Sequence, residues 1–198
     1  IADHSDKTYT LLYTKHTALK IGMFALERMV QVMEMTQAGM VYADHYQQID
    51  GVQKTAPVID YQPGSLRDDF NFGSVLLFNA NAFKEVIENT EEEYQYAGLY
   101  DLRLKISQKS KLVHINEYLY TEVESDKRKS GEKQFDYVDP KNRQVQIEME
   151  QACTNHLKEI GGYLYPIFRP VDFSSHTFEY EASVIIPVRN RIRTVKDA

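Results

Sequence analysis

The sequence has no tryptophan and a single cysteine among 198 residues. One thiol, Cys153, cannot build an intramolecular disulfide framework, so the chain must hold together by core packing, which suits a reducing, cytoplasmic setting. No apolar run approaches the length of a bilayer span, and no charged-then-apolar leader opens the chain. Positive charge is not in excess either. The formal net charge is -6, which argues against general attraction to a nucleic-acid backbone. Two local basic stretches, DKRKSGEK at 126–133 and RNRIR at 189–193, read as solvated loops. Also missing are G-x-G-x-x-G, a Walker phosphate loop and any Ser or Cys nucleophile motif.

What is present is the composition of a globular domain, 42% hydrophobic and rich in tyrosine, long enough for one core and part of a second. TYTLLYT, at 8–14, predicts a short buried strand. In IGMFALERMVQVMEMTQ, Phe24, Met29, Val30 and Met33 recur at helical spacing, and Gly39 closes that helix. MVYADHYQQI predicts a strand, and Asp50-Gly51 predicts a hairpin with VQKTAPVIDY as its return strand. GSVLLFNANAFKEVIENT predicts a buried strand, then a helix capped by Asn79 or Asn81. GLYDLRLKIS predicts a short helix with Leu99, Leu102 and Ile106 turned inward, and KLVHINEYLYTEVES a strand with an irregular extension. Residues 124–138 are polar and charged and predict an exposed linker. Asp139-Pro140 starts the longest helix and Gly161-Gly162 ends it, with Val145, Ile147, Met149, Cys153, Leu157 and Ile160 as its apolar stripe. A proline-punctuated aromatic connector leads to a last strand at 183–188. The alternation, with one hairpin in it, predicts an α/β fold around a mixed sheet.

The terminal SVIIPVRNRIRTVKDA resembles the opening of family 2 glycosyltransferases, which use the GT-A fold and whose first strand ends in a Pro-Val-Tyr-Asn type sequence. Pro187, Val188, Arg189 and Asn190 occupy that motif, with Arg189 in the tyrosine position. In the family this turn lies against the base of the sugar donor, beyond the carboxyl end of a strand. The resemblance therefore implies that Pro187, Arg189 and Asn190 bind nucleotide. Earlier stretches resemble the family's later part. YTLLYTKHTAL and FALERMVQVMEMTQAGMVYADHY are similar to its strand, acidic metal motif, helix and second strand ending in Ser-Asp. YAGLYDLRLKISQKSKLVHINEYLY is similar to the stretch with the catalytic Glu-Asp, the Tyr-Asp-Leu-x-Leu helix and the Pro-x-x-Leu-Tyr strand. Three regions are implied. A partial, degenerate GT-A-like domain, the three-layer nucleotide-diphospho-sugar transferase fold, covers 1–123. A linker, the long helix and the connector cover 124–182. The first strand of a second, truncated GT-A domain covers 183–198. Because the first residue is Ile, the chain is expected to be an excised piece with sequence missing at both ends.

The resemblance also implies a divalent cation, Mg or Mn, in the parent enzyme, where an Asp-x-Asp at a strand end neutralises the donor diphosphate. Here that place holds Thr14-Lys15-His16, so no metal is predicted for this segment, although Lys15 would supply part of a metal's charge. The general base of the family is a Glu-Asp pair, and Gly98-Leu99 stands there. The parent is expected to move a sugar from a nucleotide-sugar to a glycan or lipid-linked acceptor, with its chemistry in the second domain. The alternative is a non-catalytic scaffold, acceptor-binding or dimerisation module, a homodimer contact being placed on the helix at 139–160. Neither nucleic acid nor a membrane span is expected.

Individual residues complete the list of candidates. Asp68 and Asp69, ahead of a buried strand, are candidates to line an acceptor cleft, although loop aspartates also cap turns. Asp44 and His45 are adjacent in a strand and point to opposite faces, which reads against joint metal coordination. His114 alternates with apolar neighbours and reads as a buried, hydrogen-bonded histidine. Asp101 reads as a helix cap or a partner of Arg103 or Lys105.

Overall fold

The computed structural model describes residues 7–90, 92–124, 143–170, 172 and 174. Its elements are β1 (Tyr9–Tyr13), β2 (Ala18–Ile21), α1 (Ala25–Thr36), β3 (Met40–Ile49), β4 (Val52–Ala56), β5 (Val75–Asn79), α2 (Ala80–Glu88), α3 (Gly98–Lys109), β6 (Leu112–Glu124) and α4 (Arg143–Glu159). β3 organises the sheet. Met40, Val41, Tyr42 and Ala43 are apolar and buried, so this strand can only sit centrally with both faces covered. β5 pairs antiparallel with its start, Met40 opposite Phe78 and Val41 opposite Leu77. β1 pairs antiparallel with the far side of β5, from Tyr9 opposite Asn79 to Tyr13 opposite Val75. β6 runs parallel to β3 on the other side, and β2 pairs antiparallel with β6. The order is β1-β5-β3-β6-β2, with β4 joined to β3, and the sheet is mixed as the sequence predicts.

Strand alternation sends side chains to two helical layers. Ala25, Met29 and Met33 recur every fourth residue of α1 and pack on Val41, Ala43, Val75 and Leu77. Phe83 and Val86 of α2, with Leu102 and Ile106 of α3, pack on Met40, Tyr42, Leu76 and Phe78. The sheet is thus covered on both faces. Each large apolar side chain so buried contributes about 2 kcal/mol.

Local chemistry sets the element ends. The Asn79 side chain accepts from the amides of Asn81 and Ala82 at 3.0 and 3.1 Å, so of the two predicted asparagines Asn79 is the cap. Asp50 and Gly51 both have positive φ, 51° and 82°, as a two-residue hairpin turn requires. The return strand stops at Ala56 rather than running to Tyr61, because Pro57 has no amide to continue the ladder. β2 was not predicted: its four residues are mostly exposed and show no clear alternation. Its position depends on Gly22, whose amide donates to the Leu119 carbonyl at 2.9 Å and where a Cβ would lie 2.6 Å from that oxygen.

α3 buries Leu102 and Ile106 as predicted, but Leu99 is 39% exposed and not part of the core. The long helix docks through part of its apolar stripe, Met149 and Cys153 packing against Ala97, Tyr100 and Leu104, but the centre of the docked face is largely polar. Its buried residues are Glu148, Ala152 and His156, while Ile147 and Ile160 are 45% and 49% exposed. The cause is what it packs against. α4 meets the amino end of α3, whose unpaired amides need an acceptor, and Glu148 supplies it. This helix belongs to a compact unit that runs through Tyr163. Gly161, at φ 72°, ends α4, and the Gly162 amide bonds the Leu157 carbonyl at 2.8 Å. A second unit begins at Leu164, where Leu164, Ile167 and Phe168 are exposed. The predicted linker at 124–138 beyond Glu124, the predicted helix start at Asp139-Pro140, the predicted strand at 183–188, and Pro187, Arg189 and Asn190 lie outside the described residues. Among the described residues no helix is long and apolar enough to cross a membrane.

Candidate functional site

A bulge in β6 builds one half of the site. Ala43 pairs with Ile115, but Asp44 pairs with Tyr118 and His45 with Tyr120, so β6 spends extra residues there. Beyond the bulge Tyr120 stacks on His45 at 5.1 Å and 4°. The Tyr120 hydroxyl accepts the Ser74 amide at 2.9 Å, and burial pushes its phenol pKa up. This close approach needs Gly73, whose φ is 73°: any side chain there would run into the Tyr120 hydroxyl. Two residues on, Glu122 is 1% exposed. Its Oε2 takes the Lys15 ammonium at 2.5 Å and its Oε1 faces His45 Nε2 at 3.4 Å. Burial alone would raise the Glu122 pKa. The Lys15 ammonium, with the nearby Ser74 hydroxyl and His45, outweighs burial and holds the carboxyl below its ordinary value. The Ser74 hydroxyl is buried beside this carboxylate without reaching hydrogen-bond geometry to any partner among the described residues.

These residues do not fit a divalent ion at Thr14-Lys15-His16. The strand end presents an ammonium already bonded to the nearest carboxylate. Among the described residues, no three His, Cys, Asp or Glu side chains converge on one point.

The other half is a cleft of about 480 Å³ that runs from Thr14, just past β1, to the first turn of α3. Asp68, Asp69, Tyr96 and Leu99 stand along it, and Phe70, Phe72 and Tyr100 line its apolar wall. Arg103, 4% exposed, also lines the cleft, with its guanidinium 4.8 Å from the Tyr100 ring centre and 5.3 Å from that of Phe72. It donates to the Arg67 carbonyl at 2.7 Å and the Ser65 carbonyl at 3.3 Å, pinning the loop that carries both aspartates. Burial lowers its pKa, and burial raises that of Tyr100, whose hydroxyl donates to the Leu66 carbonyl. Asp69 is clamped by Arg67 through bonds of 2.9 and 2.8 Å, which hold its carboxyl below the usual range. Asp68 is exposed at the cleft.

The remaining candidates are structural. Asp44 and His45 do face opposite ways. Asp44 accepts the Val58 amide at 2.8 Å and meets His114 Nε2 at 2.9 Å, while Asp60 meets His114 Nδ1 at 2.7 Å. With the Tyr42 hydroxyl donating to the Ile59 carbonyl at 2.8 Å, these bonds hold the segment after Pro57 against the sheet. Asp101 pairs with Lys105 at 2.9 Å. Neither Glu122 nor Tyr120 is among the residues predicted from the sequence. The signal was available: beyond the irregular stretch, Tyr120 and Glu122 alternate on one face of a strand, and a carboxylate on a covered face requires a cation. No protein-family model matches this sequence, and no curated protein matches it.

Proposed function

We propose that the chain is a GT-A-like part of a family 2-like glycosyltransferase, and that it holds a glycan acceptor in the Thr14–Leu99 cleft rather than transferring sugar there. The observation that carries this reading is a convergence. Thr14 belongs to the stretch that the resemblance aligns with the metal motif, Leu99 to the pair it aligns with the catalytic base, and both line one cleft. Residues far apart in sequence meet there as an active-site cleft would require. The side chains at both places have changed, to an ion-paired Lys15 and an exposed leucine. What remains suits sugar: the exposed ring of Tyr96 and the half-buried ring of Phe70 for the apolar side of a pyranose, and the carboxylates of Asp68 and Asp69 for its hydroxyls. Transfer from a nucleotide-sugar to the glycan or lipid-linked acceptor then belongs to a second GT-A domain, which, by the resemblance of SVIIPVRN, begins at residue 183.

Calorimetric titration with uridine diphosphate, with and without manganese, and with a panel of neutral oligosaccharides tests this. An oligosaccharide that binds the native chain and loses its affinity in Asp68→Ala is the expected result, with no manganese-dependent nucleotide binding. Manganese-dependent binding of uridine diphosphate overturns the reading and makes the cleft a donor site.

A further inference from the structure

We propose that Glu122, His45 and Ser74 form a cation pocket at the carboxyl end of β1 whose resident ion is the chain's own Lys15 ammonium, and that a divalent transition metal enters this pocket once the ammonium is removed. The argument starts from burial. Glu122 and His45 are 1% and 2% exposed, and a carboxylate so placed needs a cation beside it. Lys15 meets that need from the segment between β1 and β2, with its own side chain 33% exposed.

The geometry left when the ammonium is withdrawn is that of a metal site. His45 Nε2 and Glu122 Oε1 are 3.4 Å apart. Two ligands on one tetrahedral ion with bonds of about 2.1 Å stand about 3.4 Å from each other. An imidazole and a carboxylate suit zinc or cobalt. The Ser74 hydroxyl, buried near the same carboxylate and without a hydrogen-bond partner among the described residues, is the third donor of the proposed set. The ligands are also preorganised. Tyr120 stacks on His45, and the β6 bulge brings Glu122 into line with it. In the native chain the cation is tethered, so ligand binding at this end of the sheet is independent of divalent ions and indifferent to chelators.

The pocket stands on contacts within the chain. Only its correspondence to a transferase metal position rests on the proposed function. The test uses the full chain and the variants Lys15→Ala and Lys15→Gln, titrated with zinc by calorimetry and with cobalt by visible absorption, and melted with and without zinc. The native chain is expected to show no stoichiometric ion and no zinc-induced change in melting temperature. Each variant is expected to bind one ion at least about 100-fold more tightly and to melt higher in zinc. Adding Glu122→Gln to Lys15→Ala should abolish the gain. Native binding as tight as that of the variants, folded variants that gain no metal, or a gain that survives Glu122→Gln each overturn the proposal. So does a Lys15→Ala chain that stays unfolded in zinc, because a divalent ion should replace the lost ammonium. Manganese-dependent nucleotide binding by the native chain would sink the functional reading and leave the zinc result of the variants standing, so the two failures are distinguishable.

Discussion

The carboxylate of Glu148, on α4, accepts the backbone amide of Tyr96 at 2.7 Å, just ahead of α3. The Ala97 amide shares the same oxygen at 3.2 Å. The N-cap residue of α3 is Ala97, which has no side chain able to cap, so a residue about fifty positions away does the work of a local aspartate. Glu148→Ala should lower the melting temperature by about 3 °C, as loss of a helix cap does in a chain of this size. Hydrogen exchange should quicken first at Tyr96 and Ala97. Unchanged protection of those amides would show that α4 does not hold α3.

The same helix carries a pH response. Burial lowers the pKa of His156 from its ordinary value of 6.5. Its Nδ1 lies 2.9 Å from the Gln108 amide nitrogen, a donor, so the neutral ring accepts this bond. A histidine depressed in the folded state contributes stability that is fully present above its unfolded pKa and is lost as pH falls through the folded one. The urea midpoint of the native chain should therefore fall between about pH 7.5 and about pH 5.5, and His156→Gln should flatten that fall. Equal slopes in the two proteins would exclude His156 as its source.

Two carboxylates flank His114, and they should not matter equally. Asp44 has 2% of its side chain exposed and also serves the Val58 amide, whereas Asp60 is 79% exposed. Asp44→Ala strands two buried donors and should cost about 3 kcal/mol, with Asp44→Asn near ~1 kcal/mol. Asp60→Ala should cost about 0.5 kcal/mol or less. Chemical denaturation of the three variants gives the order directly.

Gly73 and Tyr120 form a testable pair. Gly73→Ala meets both a positive φ and the Tyr120 hydroxyl, and should destabilise by about 2 kcal/mol or more. Tyr120→Phe removes the acceptor of the Ser74 amide and should cost about 1 kcal/mol alone. Together they should cost less than their sum, because the second change makes room for the first. Strict additivity would mean that the backbone angle alone sets the penalty.

The regular parts of this fold could be read from the sequence because they depend on short-range pattern. Met29 and Met33 fall on one helical face, Asp50-Gly51 turns a hairpin, and Asn79 caps α2, each determined within a few residues. What could not be read depends on partners distant in sequence. β2 exists because β6 offers it an edge, and its own four residues carry almost no signal. Leu99 looks like a core position by period, yet it faces a cleft formed by the loop before β5. The docked face of α4 carries Met149 and Cys153 of the apolar stripe, but also Glu148 and His156, which no apolar period marks. The site was half legible: Asp68 and Asp69 do stand at a cleft, and Lys15 was picked out as a cation at a strand end. Its partner Glu122 lies beyond an irregular stretch of β6, where alternation can no longer be counted from the apolar start of the strand.

The extra residues of β6 opposite Asp44 divide the sheet into two pairing zones that keep separate counts. Deleting one residue between Ile115 and Tyr118 would leave the pairing of Met40 through Ala43 intact, yet turn Tyr120 and Glu122 to the opposite face, away from His45 and Lys15. A spacing, more than any single side chain, secures the lysine pocket. Between chains otherwise alike, a length change in this short stretch would therefore separate those that keep the pocket from those that have lost it more sharply than any substitution.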